Sequence, residues 1–295
     1  METSVNMSLL RRLPRIALGS ASVLAALYVG FSPRVAKSLY LRRLFRPYPF
    51  PEGSWDINEI AGIKRQDCWF RAVDGSRLHG WLFEVPDAER IILFSHGNTG
   101  NITGRVSGVE QMLRAGASVF IYDFRGYGRS KGRPTVHGIC EDGVMAFDYL
   151  LKERDYRPSQ IVLYGESLGT AVAADTAAQR PCAGIILQSG FTSLRDIGLK
   201  AMPLTKIYPE FMFPSPRLDS AQLMERNKRP LLIIHGVKDA VVPFSHGEEL
   251  FLRATEPKTL ITLAECAHSD ICVVEPDKYM QAIHDFLQTL PPERM

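Results

Sequence analysis

Six short apolar runs recur along the chain: Ile91–Ser95, Ala117–Tyr122, Ile161–Tyr164, Gly184–Gln188, Leu231–His235 and Leu260–Leu263. Between them apolar residues return at helical spacing, as at Ile102, Val106, Val109, Met112 and Leu113, and across Glu141–Lys152, Leu168–Gln179, Phe244–Arg253 and Tyr279–Leu287. Strand alternating with helix leaves few choices. Parallel strands need a long crossover, and right-handed crossovers lay helices on both faces of the sheet. The pattern therefore predicts an α/β fold with a mostly parallel, doubly wound sheet. A hairpin precedes it, with strands at Cys68–Val73 and Arg77–Val85 around Asp74-Gly75. In such sheets ligands bind beyond the carboxyl ends of the strands, so those ends are where chemistry is sought.

The third run continues as IVLYGESLGTAVAAD, Ile161 to Asp175, passing from strand to alanine-rich helix through Gly165-Glu166-Ser167-Leu168-Gly169. These five residues match G-x-S-x-G, in which a strained turn holds a serine hydroxyl at the top of the sheet. Glycines also permit an ordinary tight corner, so the other strand ends must decide. Ile91–Ser95 runs into His96-Gly97-Asn98-Thr99-Gly100, a turn whose backbone N–H groups can face a developing oxyanion. The natural pair of donors is the amides of Asn98 and Leu168, while His96 is expected to orient its loop. Leu231–His235 leads to Asp239, an acid suited to hold an imidazole in one tautomer. Leu260–Leu263 leads to His268. The order Ser167, Asp239, His268 is the one this architecture uses for nucleophile, acid and base. The other histidines fall on strands, helices or turns and read as structural or exposed.

The whole chain has 295 residues with a formal net charge of +3, enough to bury a full core and too evenly balanced beyond about residue 50 for a nucleic-acid binder. Cys68, Cys140, Cys182, Cys266 and Cys272 are odd in number, scattered, and without metal-ligand spacing; they read as free thiols. No metal or organic cofactor is indicated.

With SHGNTGN, DFRGYGRSKG, LYGESLGTAVA, SGFTSLRDI, LIIHGVKDAVVPF and AHSDI on the page, the chain from about Ile60 onward resembles an α/β-hydrolase. It looks closest to the membrane-anchored serine hydrolases that include protein depalmitoylases and their bacterial relatives. The resemblance implies a triad of Ser167, Asp239 and His268, oxyanion amides at Asn98 and Leu168, and a structural loop at Asp123–Gly128 near the site. It departs at Ala267, where the family often has glycine, a small change, and in having no cysteine before Cys68, which weakens transfer of the depalmitoylases' own substrate.

The expected organisation is a basic segment and membrane anchor over 1–45, a proline-bearing linker over 46–59, and a catalytic domain over 60–295 with a cap insertion at about 191–216. Ile16 to Phe31 is uncharged and apolar, reaching roughly 24 Å as a helix against about 30 Å of hydrocarbon, a slightly short single-pass anchor. More positive charge follows the run than precedes it, which argues for a cytoplasmic catalytic domain. The sequon Asn101-Ile102-Thr103 lies at the expected mouth of the site, where a glycan would block access. The cap carries Met202, Leu204, Ile207, Tyr208, Phe211, Met212 and Phe213, an expected apolar lid for acyl esters or thioesters. A peptidase on the same triad, or a membrane-tethered binding protein on a hydrolase frame, remains open on the residues alone.

Overall fold

The structure is a computed structural model that describes residues 22–213 and 218–291. Its main sheet has nine strands: β1 (Glu59–Ile60), β2 (Ile63–Arg71), β3 (Arg77–Phe83), β4 (Ile91–Ser95), β5 (Ser118–Tyr122), β6 (Ile161–Glu166), β7 (Gly184–Gln188), β8 (Leu231–Gly236) and β9 (Lys258–Leu263). Their order is β9-β8-β7-β6-β4-β5-β3-β2-β1. Pairing is parallel from β9 to β5 and antiparallel from β5 to β1. The doubly wound sheet is thus the one the alternation requires, with the hairpin β2–β3 adding its antiparallel edge.

The helices are α1 (Lys37–Leu44), α2 (Val106–Arg114), α3 (Val136–Glu153), α4 (Leu168–Gln179), α5 (Leu194–Ala201), α6 (Ser220–Arg226), α7 (Phe244–Arg253), α8 (Ile271–Val274) and α9 (Pro276–Thr289). Successive strand residues point to opposite faces, and both faces are covered. Ile91, Leu93, Ile161 and Leu163 pack in one apolar cluster with residues of α3, α4 and α7. Their neighbours Ile92, Phe94, Val162 and Tyr164 pack in a second with residues of α2 and α9. This is why the strands read as unbroken apolar runs rather than as alternating ones.

The chain order places β5 on one side of β4 and β6 on the other. Connections from β4 and β6 therefore leave in opposite directions, and a crevice opens beyond their carboxyl ends. Every element of the candidate site reaches that crevice.

Residues 46–59, expected as a linker, are fastened to the domain. Arg46 and Pro47 pair in parallel with Thr99 and Gly100, and Phe50 donates to the Gly128 carbonyl at 2.8 Å. Trp55 lies edge-on to Trp81 with ring centres 5.6 Å apart. Of the apolar run 16–31, residues 22–30 are helical, and 16–21 lie outside the described residues. Among the described residues no helix is long and apolar enough to cross a membrane.

Candidate active site

Ser167 occupies the single residue between β6 and α4, with φ 53° and ψ −113°. A non-glycine residue at positive φ is strained, and here the sharp turn needs it. The flanking glycines are required by contact. A Cβ on Gly169 would sit 1.9 Å from the Ser95 carbonyl oxygen, and one on Gly165 would sit 2.3 Å from that of Gly169. Both clashes are with backbone, which cannot swing aside. The Thr170 hydroxyl donates to the Ser167 carbonyl at 2.6 Å and the Ser167 amide to Gln188 at 2.9 Å, pinning the corner.

Asp239 and His268 come from the loops after β8 and β9. The two loops are tied by the Lys238 amide, which donates to the Cys266 carbonyl at 3.0 Å. His268 Nε2 lies 2.9 Å from the Ser167 Oγ, and its Nδ1 lies 2.7 Å from Asp239 Oδ2. A carboxylate only accepts hydrogen bonds, so Nδ1 carries the proton and Nε2 is left to accept from the serine hydroxyl. Asp239 is itself anchored through Oδ1, which accepts from the amides of Val241 and Val242 at 2.9 and 2.8 Å. Burial alone would raise this carboxyl. Hydrogen bonds from His235 and His268, and the charge His268 can carry, outweigh it and hold Asp239 well below the usual carboxylate range. His235 is a further neighbour missed in the sequence: its Nε2 donates to the Val242 carbonyl at 2.9 Å and lies 3.4 Å from Asp239 Oδ2. Its position directly before Gly236, four residues from the acid, was the signal available.

Asn98 and Leu168 both line the cavity at the serine, and among the described residues neither amide has a backbone acceptor. Leu168 is the first residue of α4, where helical N–H groups have no partner within the helix. The Asn98 loop is held from two sides: its side chain donates to the Leu44 carbonyl at 2.8 Å, and its carbonyl accepts from the Tyr127 hydroxyl at 2.8 Å. Tyr127 belongs to the Asp123–Gly128 loop, so that loop steadies the strand-end turn. Within it, Arg125 makes several bonds to the buried Asp142, one at 2.7 Å. His96 is fully buried; burial, aided by the charge of Arg105, pushes its imidazole down to about 3, so it is neutral and its Nδ1 donates to Gly97 at 2.7 Å. Beside the elbow, Arg105 and Glu166 form an ion pair at 3.0 Å that no local spacing in the sequence reveals.

The serine opens into a cavity of about 700 Å³. The cap supplies Leu194, Ile197, Met202 and Phe213 to its lining, while Leu204, Ile207 and Phe211, expected in the same lid, face outward at 84, 61 and 63 % exposure. Cap residues 214–216 lie outside the described residues. A second wall was not expected at all: Pro33, Tyr40, Leu41 and Leu44 of the N-terminal segment also line the cavity. The sequon asparagine, Asn101, is 2 % exposed, and its amide donates to the carbonyls of Tyr48 and Glu52. The five cysteines are free. Burial pushes the thiols of Cys266 and Cys272, which flank His268 in sequence, up to about 11. Among the described residues no cluster could hold a metal ion.

Comparison with known proteins agrees with this architecture. The family described as "Serine aminopeptidase, S33" matches residues 86–221. Alpha/beta hydrolase domain-containing protein WAV2 of Arabidopsis thaliana is 30 % identical, across 91 % of this chain and 91 % of its own. Human alpha/beta hydrolase domain-containing protein 17B is 32 % identical, across 68 % of this chain and 67 % of its own. Among solved structures, the Pyrococcus furiosus esterase Pf2001 superposes with a TM-score of 0.68 at 21 % identity, covering 84 % of this chain and 98 % of that one.

Proposed function

Because the chain belongs to the α/β-hydrolase superfamily, we propose that it is a serine hydrolase that cleaves ester or thioester bonds of apolar acyl substrates through Ser167, His268 and Asp239. The observation that carries this reading is the unbroken hydrogen-bond line from Ser167 Oγ through His268 to Asp239, 2.9 and 2.7 Å, at the wall of a cavity of acyl-chain size. In the proposed reaction His268 Nε2 takes the hydroxyl proton as Oγ attacks the carbonyl carbon. The carbonyl oxygen becomes an oxyanion facing the amides of Asn98 and Leu168, each worth about 100- to 1,000-fold in turnover. Asp239, already ionised, stabilises the imidazolium. The proton then passes to the leaving alcohol or thiol, and water activated by the same imidazole releases the acid. Through its N-terminal segment the enzyme is membrane-attached, and the apolar cavity suits a substrate drawn from lipid.

The family description raises a second reading, a serine aminopeptidase. An aminopeptidase must bind an ammonium group, yet the described residues lining the cavity include Arg43, Arg46, Arg105, Arg195 and Lys200 against Glu166 and Glu210, and Glu166 is already paired with Arg105. That balance repels a free amino terminus and favours esters. A fluorophosphonate probe and a chain-length series of acyl esters, thioesters and aminoacyl amides test the proposal. Labelling and ester turnover are expected in the unaltered chain and absent in Ser167→Ala and His268→Ala. Labelling that survives both substitutions overturns the proposed reaction.

A further inference from the structure

The cap and the N-terminal segment share more than the cavity they enclose. The Tyr28 hydroxyl donates to the Ile207 carbonyl at 2.7 Å, and the rings of Tyr28 and Tyr208 lie 4.8 Å apart. The Arg34 amide donates to the Met212 carbonyl at 2.8 Å, and its guanidinium to that of Phe211 at 3.0 Å. These contacts join the two segments into one unit, and that unit is apolar on its outside. Of the eighteen large apolar side chains exposed among the described residues, ten lie in it: seven between Val23 and Leu39, and Leu204, Ile207 and Phe211 in the cap. Singly scattered exposed apolar residues are ordinary; a patch concentrated on one unit marks a contact surface.

Charge decides what covers it. Residues 22–46 hold five basic residues, Arg34, Lys37, Arg42, Arg43 and Arg46, and no acidic one. In the cap, Lys206 and the acidic Glu210 are exposed on the same unit, as is Lys200, whose ammonium donates to the Ala240 carbonyl at 2.8 Å, so cations outnumber acids around the face. An apolar face bordered by cations matches the boundary between acyl chains and anionic headgroups. We propose that the catalytic domain itself docks on an anionic lipid bilayer through Leu204, Ile207 and Phe211, beside the N-terminal segment. The residues behind that face line the cavity, so a substrate's acyl chain passes from lipid to Ser167 under one continuous apolar cover. This inference deepens the membrane attachment proposed above: the N-terminal segment and the cap, joined by these contacts, meet the bilayer as one surface and so fix the orientation of the site.

The test uses the full chain with Phe211→Trp, read as the emission added over the unaltered chain. In vesicles of anionic phospholipid, most of that emission should be quenched by brominated acyl chains and shielded from aqueous acrylamide. Emission as open to acrylamide with vesicles as without, and indifferent to brominated lipid, overturns the proposal. So does shielding that needs no vesicles and grows with protein concentration, which would assign the face to a second copy. A second arm replaces Leu204, Ile207 and Phe211 together by serine. Hydrolysis of a bilayer-resident ester should fall about tenfold or more, with a water-soluble short ester unaffected; equal rates on both overturn the proposal. If no ester is hydrolysed at all, the serine-hydrolase reading fails while the quenching result still decides the docking.

Discussion

Ser167 is held at φ 53° and ψ −113°, and that geometry can be weighed by replacing the residue twice. Ser167→Ala and Ser167→Gly both remove the hydroxyl, so the lost contact with His268 cancels between them. What differs is the Cβ. A non-glycine residue in so sparse a region costs about 1–3 kcal/mol, which glycine escapes. Against this, glycine gains freedom in the unfolded chain, a loss of about 0.5–1 kcal/mol of stability. The alanine methyl would face the open cavity and so contribute little by burial. The balance favours glycine by about 1 kcal/mol, or about 2–4 °C in Tm for a domain of this size. Urea and thermal unfolding of the two variants, side by side, measure it. At an ordinary position the sign is opposite, with glycine the less stable by about 0.5–1 kcal/mol. Should Ser167→Gly unfold below Ser167→Ala by that amount, the turn stores no strain and the account of the elbow is wrong. Both variants should be silent to the fluorophosphonate probe, so the stabilisation comes with complete loss of activity.

Gly169→Ala places a methyl 1.9 Å from the Ser95 carbonyl oxygen, so α4 must move off β4; probe labelling should drop by at least about 100-fold, and wild-type labelling would refute the contact argument. Asp142 is fully buried against Arg125, which also pairs with Asp74 and Glu141, so Asp142→Ala removes the one fully buried partner of that cation and should lower the unfolding free energy by about 1–3 kcal/mol, read as a fall in the urea midpoint. Asp239 is depressed in the folded state below its ordinary 3.8, so its contribution is full above about pH 4 and is lost as the pH falls through the folded value. The stability gap between the unaltered chain and Asp239→Asn should therefore narrow as the pH falls below about 4 in urea titrations; a gap independent of pH contradicts the assignment. Leu41→Trp fills part of the cavity from its N-terminal wall and should cut kcat/KM for long acyl esters about tenfold or more relative to short ones; an unchanged ratio would remove that wall from the substrate's path.

Much of this was legible in the sequence because its causes are local or periodic. α4 begins and ends where the sequence sets it, at Leu168 and Gln179, since the glycine-serine corner and the apolar spacing are both encoded in adjacent residues. The strand ends carrying Asn98, Asp239 and His268 were found because a doubly wound sheet sends every such end to one edge. α6, Ser220–Arg226, went unread because its seven residues are too few to show a period. The Arg105–Glu166 pair joins residues 61 apart, depends on how loops fold over one another, and has no spacing to announce it.

The N-terminal segment is the instructive failure. Residues 37–45 were read as part of a basic flank and Arg46 as the start of a linker because basic residues recur there, yet α1 brings Tyr40, Leu41 and Leu44 to the cavity. An apolar stripe on a helix says only that something apolar will cover it. A bilayer, a core and a substrate pocket are the same partner as far as the stripe is concerned. What separated them was a set of contacts more than 50 residues apart in sequence, the Asn98 side chain on the Leu44 carbonyl and the pairing of Arg46 with Thr99. Those bonds fix α1 beside the Asn98 loop, which lines the cavity at the serine. Substitutions in that segment should therefore alter selectivity for the acyl chain as well as the membrane attachment proposed above.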